Sequence, residues 1–282
     1  MERKAIKTII YILISVIVVF ICALLLNGRT RKNYCSGICP KWMWEWSYAH
    51  KGLHAAVGTD ENSIGAFANA VEAGYAIELD LRYTKDMVPM VSHDNDLTEE
   101  VGENVRLSDI SYDQAKMLSY VNSGEHLASL EEVLTYVDGR VPLLIEIKSY
   151  HLPGKFEENI VSLLSRYKGP FAIQSYSPFA LNYVRKLNPS ITVGLLYDDV
   201  PGIPTFKAAR ILKDNLFGAL CHPAFITYNA SLVEAHELDI YRSDEHILLG
   251  FLFTEDDILT GGYKDKVDGI VFERLHDQQH NH

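Results

Sequence analysis

Apolar and polar positions alternate with a period of two at Ile77–Leu81, where Ile77, Leu79 and Leu81 are interleaved with Glu78 and Asp80. In a strand every second side chain leaves the same face, so the two acids point the same way. Thr84 to Met87 supplies polar turn residues, and Val88 to Ser92 reads as a second strand that runs into His93 and Asp94. So short a link cannot carry a parallel crossover, so the two strands pair as an antiparallel hairpin. A tight turn near Lys85 and Asp86 then returns His93 beside Glu78 or Leu79. Acids solvated on an open face are the plain alternative. It fits poorly, because carboxylates set among apolar neighbours are expensive to bury without a partner. The pattern therefore predicts a cation at Glu78 and Asp80.

The same reading extends along the chain. Strand-like runs occur at Trp46–Ala49, Leu143–Ile147, Phe171–Ser175, Thr192–Tyr197, Gly218–Cys221, Ile247–Phe253 and Gly269–Phe272. Helical periodicity separates them at Ser63–Ala73, which ends on Gly74, and at Tyr112–Leu118, Glu158–Tyr167, Phe179–Leu187, Phe206–Asp214 and Leu232–Leu238. Ser129-Leu130-Glu131-Glu132 forms a capping box that opens a helix to Val137. With the hairpin strand set aside, eight strands alternate with helices, as a (β/α)8 TIM barrel requires. An open doubly wound sheet is the competitor, but no Gly-rich phosphate loop follows the first strand.

Thr8–Leu26 contains no charged residue and is long enough, at roughly 30 Å as a helix, to span a bilayer. No small-x-small cleavage site follows it, which favours an uncleaved membrane anchor over a signal peptide. Basic residues flank it on both sides, Arg3, Lys4 and Lys7 before and Arg29, Arg31 and Lys32 after, so charge does not orient it. The expected organisation is a flank (1–7), a transmembrane helix (8–26), a linker (27–44), the barrel (45–273) and a tail (274–282). Cys35 and Cys39 in the linker are spaced to close a small loop if the domain lies outside the cell, and together with the anchor they motivate the expectation that the domain faces outside the cytoplasm. Cys22 and Cys221 read as buried thiols. Trp42, Trp44 and Trp46 alternate and, if extended, share one side; the preferred reading is that they close the bottom of the barrel.

The net charge of −11 on 282 residues argues against nucleic acid as a partner. Chemistry in such a barrel sits at the C-terminal ends of the strands. His50-Lys51-Gly52 ends the first, Glu78 and Asp80 sit on the second, Glu146 and Lys148 share a face of Leu144–Lys148, and Gln174 and Ser175 end the next. Three carboxylates without thiolates or clustered imidazoles suit Mg²⁺ or Ca²⁺ and argue against zinc. Two histidines beside such a cation can serve as acid and base near neutral pH, with the lysines adding positive charge. These parts fit cleavage of a phosphodiester. The other histidines, His54, His126, His151, His222, His236 and His246, read as structural or surface residues, and the His276–His282 tail as frayed.

In AHKG (49–52), ENSIGAFANAVEAG (61–74), IELDLRYTKD (77–86), MVSHD (90–94), LIEIK (144–148), FAIQSYSP (171–178) and VDGIVFE (267–273) the chain resembles the glycerophosphodiester phosphodiesterase family. The resemblance implies a barrel of the phospholipase C-like phosphodiesterase type that releases glycerol 3-phosphate and an alcohol from small glycerophosphodiesters. By motif position it implies Glu78, Asp80 and Glu146 as ligands of a divalent metal and His50 and His93 as the acid/base pair. Lys51 and Lys148 are expected to bind the substrate phosphate. Lys51 stands where the family usually has Arg, which keeps the charge but loses the planar fork. Gly250-Phe251-Leu252-Phe253-Thr254 replaces the family's Trp-Thr motif. Asn62 resembles a family residue beside the site, and is also a good helix cap. A phospholipase-like relative acting on membrane lipids or lysolipids, and a non-catalytic barrel that binds a phosphorylated ligand at the membrane, are the alternatives.

Overall fold

The computed structural model describes residues 11–15, 17–18, 39–54, 58–149, 151–197, 218, 220–229, 247–261 and 266–273. Its frame is a sheet of β1 (Tyr48–Ala49), β2 (Ala76–Tyr83), β3 (Pro89–Val91), β4 (Leu143–Ile147), β5 (Phe171–Ser175), β6 (Val193–Tyr197), β7 (Phe225–Tyr228), β8 (Ile247–Thr254) and β9 (Gly269–Glu273). Neighbours follow the order β1-β9-β8-β7-β6-β5-β4-β2-β3, and β1 also pairs with β2. The eight strands other than β3 thus close into a parallel barrel. β3 lies antiparallel on β2, with Leu81 opposite Val91 and Tyr83 opposite Pro89.

Strand periodicity sorts the side chains into two cores. Tyr48, Ala76, Leu144, Ala172, Phe225, Leu249 and Val271 form one apolar cluster at the N-terminal end of the barrel interior. Their sequence neighbours Ala49, Ile77, Leu79, Ile145, Ile173 and Phe272 belong to a second cluster, shared with Phe67, Val133, Phe156 and Leu181 from the helices. The strands are buried on both faces. Two residues further along, the inward set becomes polar at His50, Glu78, Glu146, Gln174, Thr227 and Glu273, while Phe251 stays apolar. The apolar floor needs Gly194, because a Cβ there would run into the Phe225 ring.

Local signals place the helices much as the sequence predicts. Ser63 caps Ile64–Ala73 by accepting from the Ala66 amide, and Gly74 ends it at φ 75°. Ser129 and Glu132 form the expected box at Leu130–Val137. The helices Lys155–Leu164 and Pro178–Leu187 follow β4 and β5. The helix expected over Tyr112–Leu118 stops at Ala115. It belongs to the segment between β3 and Leu130, which packs on its own apolar cluster of Met90, Leu97, Val101, Leu107, Ala115, Tyr120 and Leu127.

One expectation is corrected. Residues 218, 220 and 221 are helical, and the strand predicted at Gly218–Cys221 is instead β7, paired through Ile226 with Leu195 and Leu248. A four-residue apolar run carries no period that separates helix from strand. Phe225-Ile226-Thr227-Tyr228 has the β-branched and aromatic composition of a strand. Between them His222 turns at φ 47° and Pro223 cannot donate a backbone bond. The tryptophan segment begins with a short helix, Trp42–Glu45. It turns Met43 fully into the barrel floor, where the Tyr48 hydroxyl donates to the Met43 carbonyl at 3.0 Å. Trp42 and Trp46 pack against that floor, whereas Trp44 is exposed.

Within Thr8–Leu26 the described residues are helical, and Tyr11, Ile12, Leu13, Ile14, Ile17 and Val18 are between 50% and 68% exposed. Among the described residues no helix is long and apolar enough to cross a membrane. Cys39 and Cys221 are buried. Cys22, Cys35, the helices expected at Phe206–Asp214 and Leu232–Leu238 and the histidine tail lie outside the described residues.

Candidate active site

Parallel pairing of β2 with β4 sets Asp80 opposite Glu146, and Glu78 lies one inward step below. Each of the three carboxylates offers an oxygen within 4.8 Å of the others. All are buried. Lys148 reaches back over them, its Nζ 2.8 Å from Glu146 Oε1 and 3.1 Å from Asp80 Oδ1. Lys148, one of the two lysines assigned to phosphate, is thus held by the carboxylates of the cluster.

The proximity of the acids sets their proton affinities. Burial, and then the charge of Asp80, push Glu78 up to about 8. Burial and the same Asp80 charge raise Glu146. Burial acts on Asp80 in the same sense, but Lys148, His93, His50 and a hydrogen bond from Asn62 outweigh it and hold the carboxyl below its ordinary range. Burial works against the Lys148 ammonium, yet the charges of Asp80 and Glu146 raise its pKa. Asp80 Oδ1 is buried, with the Lys148 ammonium 3.1 Å away. Three buried carboxylates, an all-oxygen donor set, fit a hard divalent cation.

The ligand-like oxygens are aimed by neighbours. Glu78 Oε1 accepts from Gln174 Nε2 at 3.2 Å and Oε2 from the Lys51 backbone amide at 3.1 Å. Asn62 donates through Nδ2 to Asp80 Oδ2 at 3.0 Å, and its Oδ1 accepts the Asp80 amide at 3.2 Å. Asn62 therefore serves the site and leaves the helix cap to Ser63. Lys51 and Asn62 are both left-handed, at φ 53° and 56°, and the Asn62 amide donates to the Lys51 carbonyl at 2.9 Å. Such conformations are costly outside glycine and concentrate where surrounding structure fixes them. Lys51 Nζ is held by both oxygens of Glu61, at 2.9 and 3.0 Å.

The histidines flank this centre. His50 directly follows β1, and its Nδ1 bonds Glu273 Oε1 at 2.7 Å, which leaves Nε2 for proton transfer. Burial disfavours the imidazolium, but the bond to Glu273 and the charges of Glu78 and Asp80 outweigh it and raise the pKa. The Glu273 carboxyl is lowered, chiefly by that same bond. Past the last strand pair, the Ser92 amide donates to the Asp80 carbonyl at 3.1 Å, which brings the chain back along β2 just before His93. Its Nδ1 lies 3.1 Å from Asp94 Oδ2, and its carbonyl accepts from Arg82 Nε at 2.8 Å.

Glu61, Glu273 and Thr227 are site residues that sequence reasoning does not single out. For Glu273 a signal exists. It follows Val271 on the inward face of the last strand, and closure of the barrel sets Phe272 opposite Ala49, next to His50.

Residues 50–224 match the model of the glycerophosphoryl diester phosphodiesterase family. A glycerophosphodiester phosphodiesterase of Caldanaerobacter subterraneus is 30% identical over 66% of this chain and 78% of its own length. One of Bacillus subtilis is 29% identical over 71% and 78%. The chain belongs to this family of phosphoric diester hydrolases. Solved structures share the fold. A glycerophosphodiester phosphodiesterase from Parabacteroides distasonis superposes with a TM-score of 0.65 at 21% identity, over 81% of this chain and 92% of that one. A phosphodiesterase from Oleispira antarctica, in complex with the product sn-glycerol-3-phosphate, gives 0.68 at 18% identity, over 80% and 92%.

Proposed function

We propose that the chain hydrolyses glycerophosphodiesters to glycerol 3-phosphate and an alcohol, in a reaction that needs a divalent metal held by Glu78, Asp80 and Glu146. The observation that carries this reading is the buried carboxylate cluster at the C-terminal mouth of the barrel, with His50 and His93 near enough that both help to lower Asp80. The cation, Mg²⁺ or Ca²⁺, supplies charge neutralisation at the phosphoryl oxygens when bound. Lys51 and Lys148 add positive charge there. Glu61 fixes the Lys51 ammonium, which presents a point charge and not a fork. One histidine takes the proton of the attacking nucleophile. The other gives a proton to the departing alcohol oxygen. Glu273 keeps the His50 Nδ1 engaged, so that Nε2 faces the exchange.

The apolar Thr8–Leu26 stretch, whose described apolar side chains are all at least half exposed, supports a single membrane anchor, and with it a domain placed outside the cytoplasm. A second reading, lysophospholipase D action on membrane lysolipids, is favoured by a human lysophospholipase D that is 35% identical over 88 residues, 31% of this chain and 27% of that protein. A non-catalytic barrel is disfavoured, since all three acids and both histidines are present.

Product analysis on a panel of glycerophosphodiesters and lysolipids, with and without chelator, tests these readings. Glycerol 3-phosphate released from the glycerophosphodiesters alone supports the first. Lysolipid cleavage alone supports the second, and no turnover of either class contradicts both.

A further inference from the structure

We infer that Thr227 and Gln174 form a positioning pair that aims Glu78 at the metal, an inference that rests on the metal role proposed for Glu78. The Thr227 hydroxyl donates to Gln174 Oε1 at 2.9 Å, and Gln174 Nε2 donates to Glu78 Oε1 at 3.2 Å. A primary amide has an accepting and a donating end. With its oxygen engaged by Thr227, Gln174 must turn its NH₂ to the carboxylate, which as an ionised ligand only accepts.

The three side chains are 0%, 2% and 1% exposed, so water does not replace a missing partner. They stand on β7, β5 and β2, and β6 and β4 lie between those strands. The bonds therefore cross the barrel interior and are independent of the backbone ladder. Because the Lys51 amide holds the other oxygen, the plane of the Glu78 carboxylate is fixed at both ends. Partners that orient a metal ligand are commonly worth about 10- to 100-fold in metal affinity. Thr227 reaches Glu78 only through Gln174, so it orients the ligand without touching cation or substrate.

The test uses the full chain, titrated calorimetrically with Mg²⁺ alone and with Ca²⁺ alone. Thr227→Val keeps the shape of the side chain, removes the donor and should weaken binding about 10-fold or more. Thr227→Ser should restore it. Gln174→Leu should weaken binding at least as much, and Thr227→Val added to Gln174→Leu should cause no further loss, because the two act in series. Turnover of Thr227→Val should recover at high metal concentration. A purely structural role would lower the metal-free melting temperature and leave metal affinity alone, and that result overturns the inference, as would equal losses from Thr227→Val in both backgrounds. Failure of the unaltered chain to bind either ion would overturn the proposed metal role as well. Normal binding by the unaltered chain with none lost in Thr227→Val overturns this inference alone.

Discussion

Lys148→Met removes the cation that bridges Asp80 and Glu146 in the metal-free protein. Lys148 is 7% exposed and its partners 1% and 9%, so solvent screens these contacts little. Taking one member from a buried ion pair costs about 3–5 kcal/mol, because the remaining charges stay buried. In a domain of this size each kcal/mol moves the melting temperature by about 2–4 °C. The metal-free midpoint should therefore fall by about 6–20 °C. A divalent ion would occupy the same oxygens that hold the ammonium, so the variant should bind metal more tightly than the unaltered chain. Metal at about 100 times its Kd contributes about 2.7 kcal/mol. Thermal melts in chelator and in excess Mg²⁺ or Ca²⁺, with calorimetric titration, measure both effects. An unchanged metal-free midpoint, or weaker metal binding in the variant, would refute the view that Lys148 neutralises the empty site.

His50→Ala and His93→Ala should each lower turnover by roughly 10²-fold or more and leave metal affinity intact, as titration calorimetry and steady-state kinetics would show; the double variant should lose far less than the product of the single losses. Glu273→Gln removes the partner that raises His50, so the His50 limb of the pH–kcat/KM profile should move toward acid; a limb that stays in place assigns it to another group. Glu78 is raised from 4.5 to about 8, so the folded, metal-free protein holds a proton that the unfolded chain releases. Its stabilising contribution is therefore complete below pH 4.5 and lost as pH rises toward about 8. Metal affinity should rise over the same window as that proton is displaced, which urea melts and calorimetry at several pH values would check.

The barrel and the heart of the site are readable in the sequence because both rest on short-range periodicity. The alternation of Glu78 and Asp80 with Ile77, Leu79 and Leu81 gives the inward face of β2, and the brief Thr84–Met87 turn fixes the return of His93. What escapes is what closure brings together. Glu273 meets His50 across 223 positions, and Thr227 meets Gln174 across 53. No local pattern marks either pair. Strand β7 is misplaced for a different reason, since the apolar run at Gly218–Cys221 is as compatible with helix as with strand. Lys148 shows a third limit. Its charge is evident in the sequence, but its engagement with Asp80 and Glu146 follows from the opposition of β2 and β4.

The central claim is that a cation held by Glu78, Asp80 and Glu146 is required to split glycerophosphodiesters at this mouth. The most direct measurement is glycerol 3-phosphate released from glycerophosphocholine by the intact chain, in chelator and after Mg²⁺ or Ca²⁺ is restored, alongside Glu146→Gln. Release that stops in chelator, returns with the ion and needs far more ion in Glu146→Gln is the predicted result. Release that continues in chelator, or a Glu146→Gln variant with the unaltered metal requirement, would contradict it.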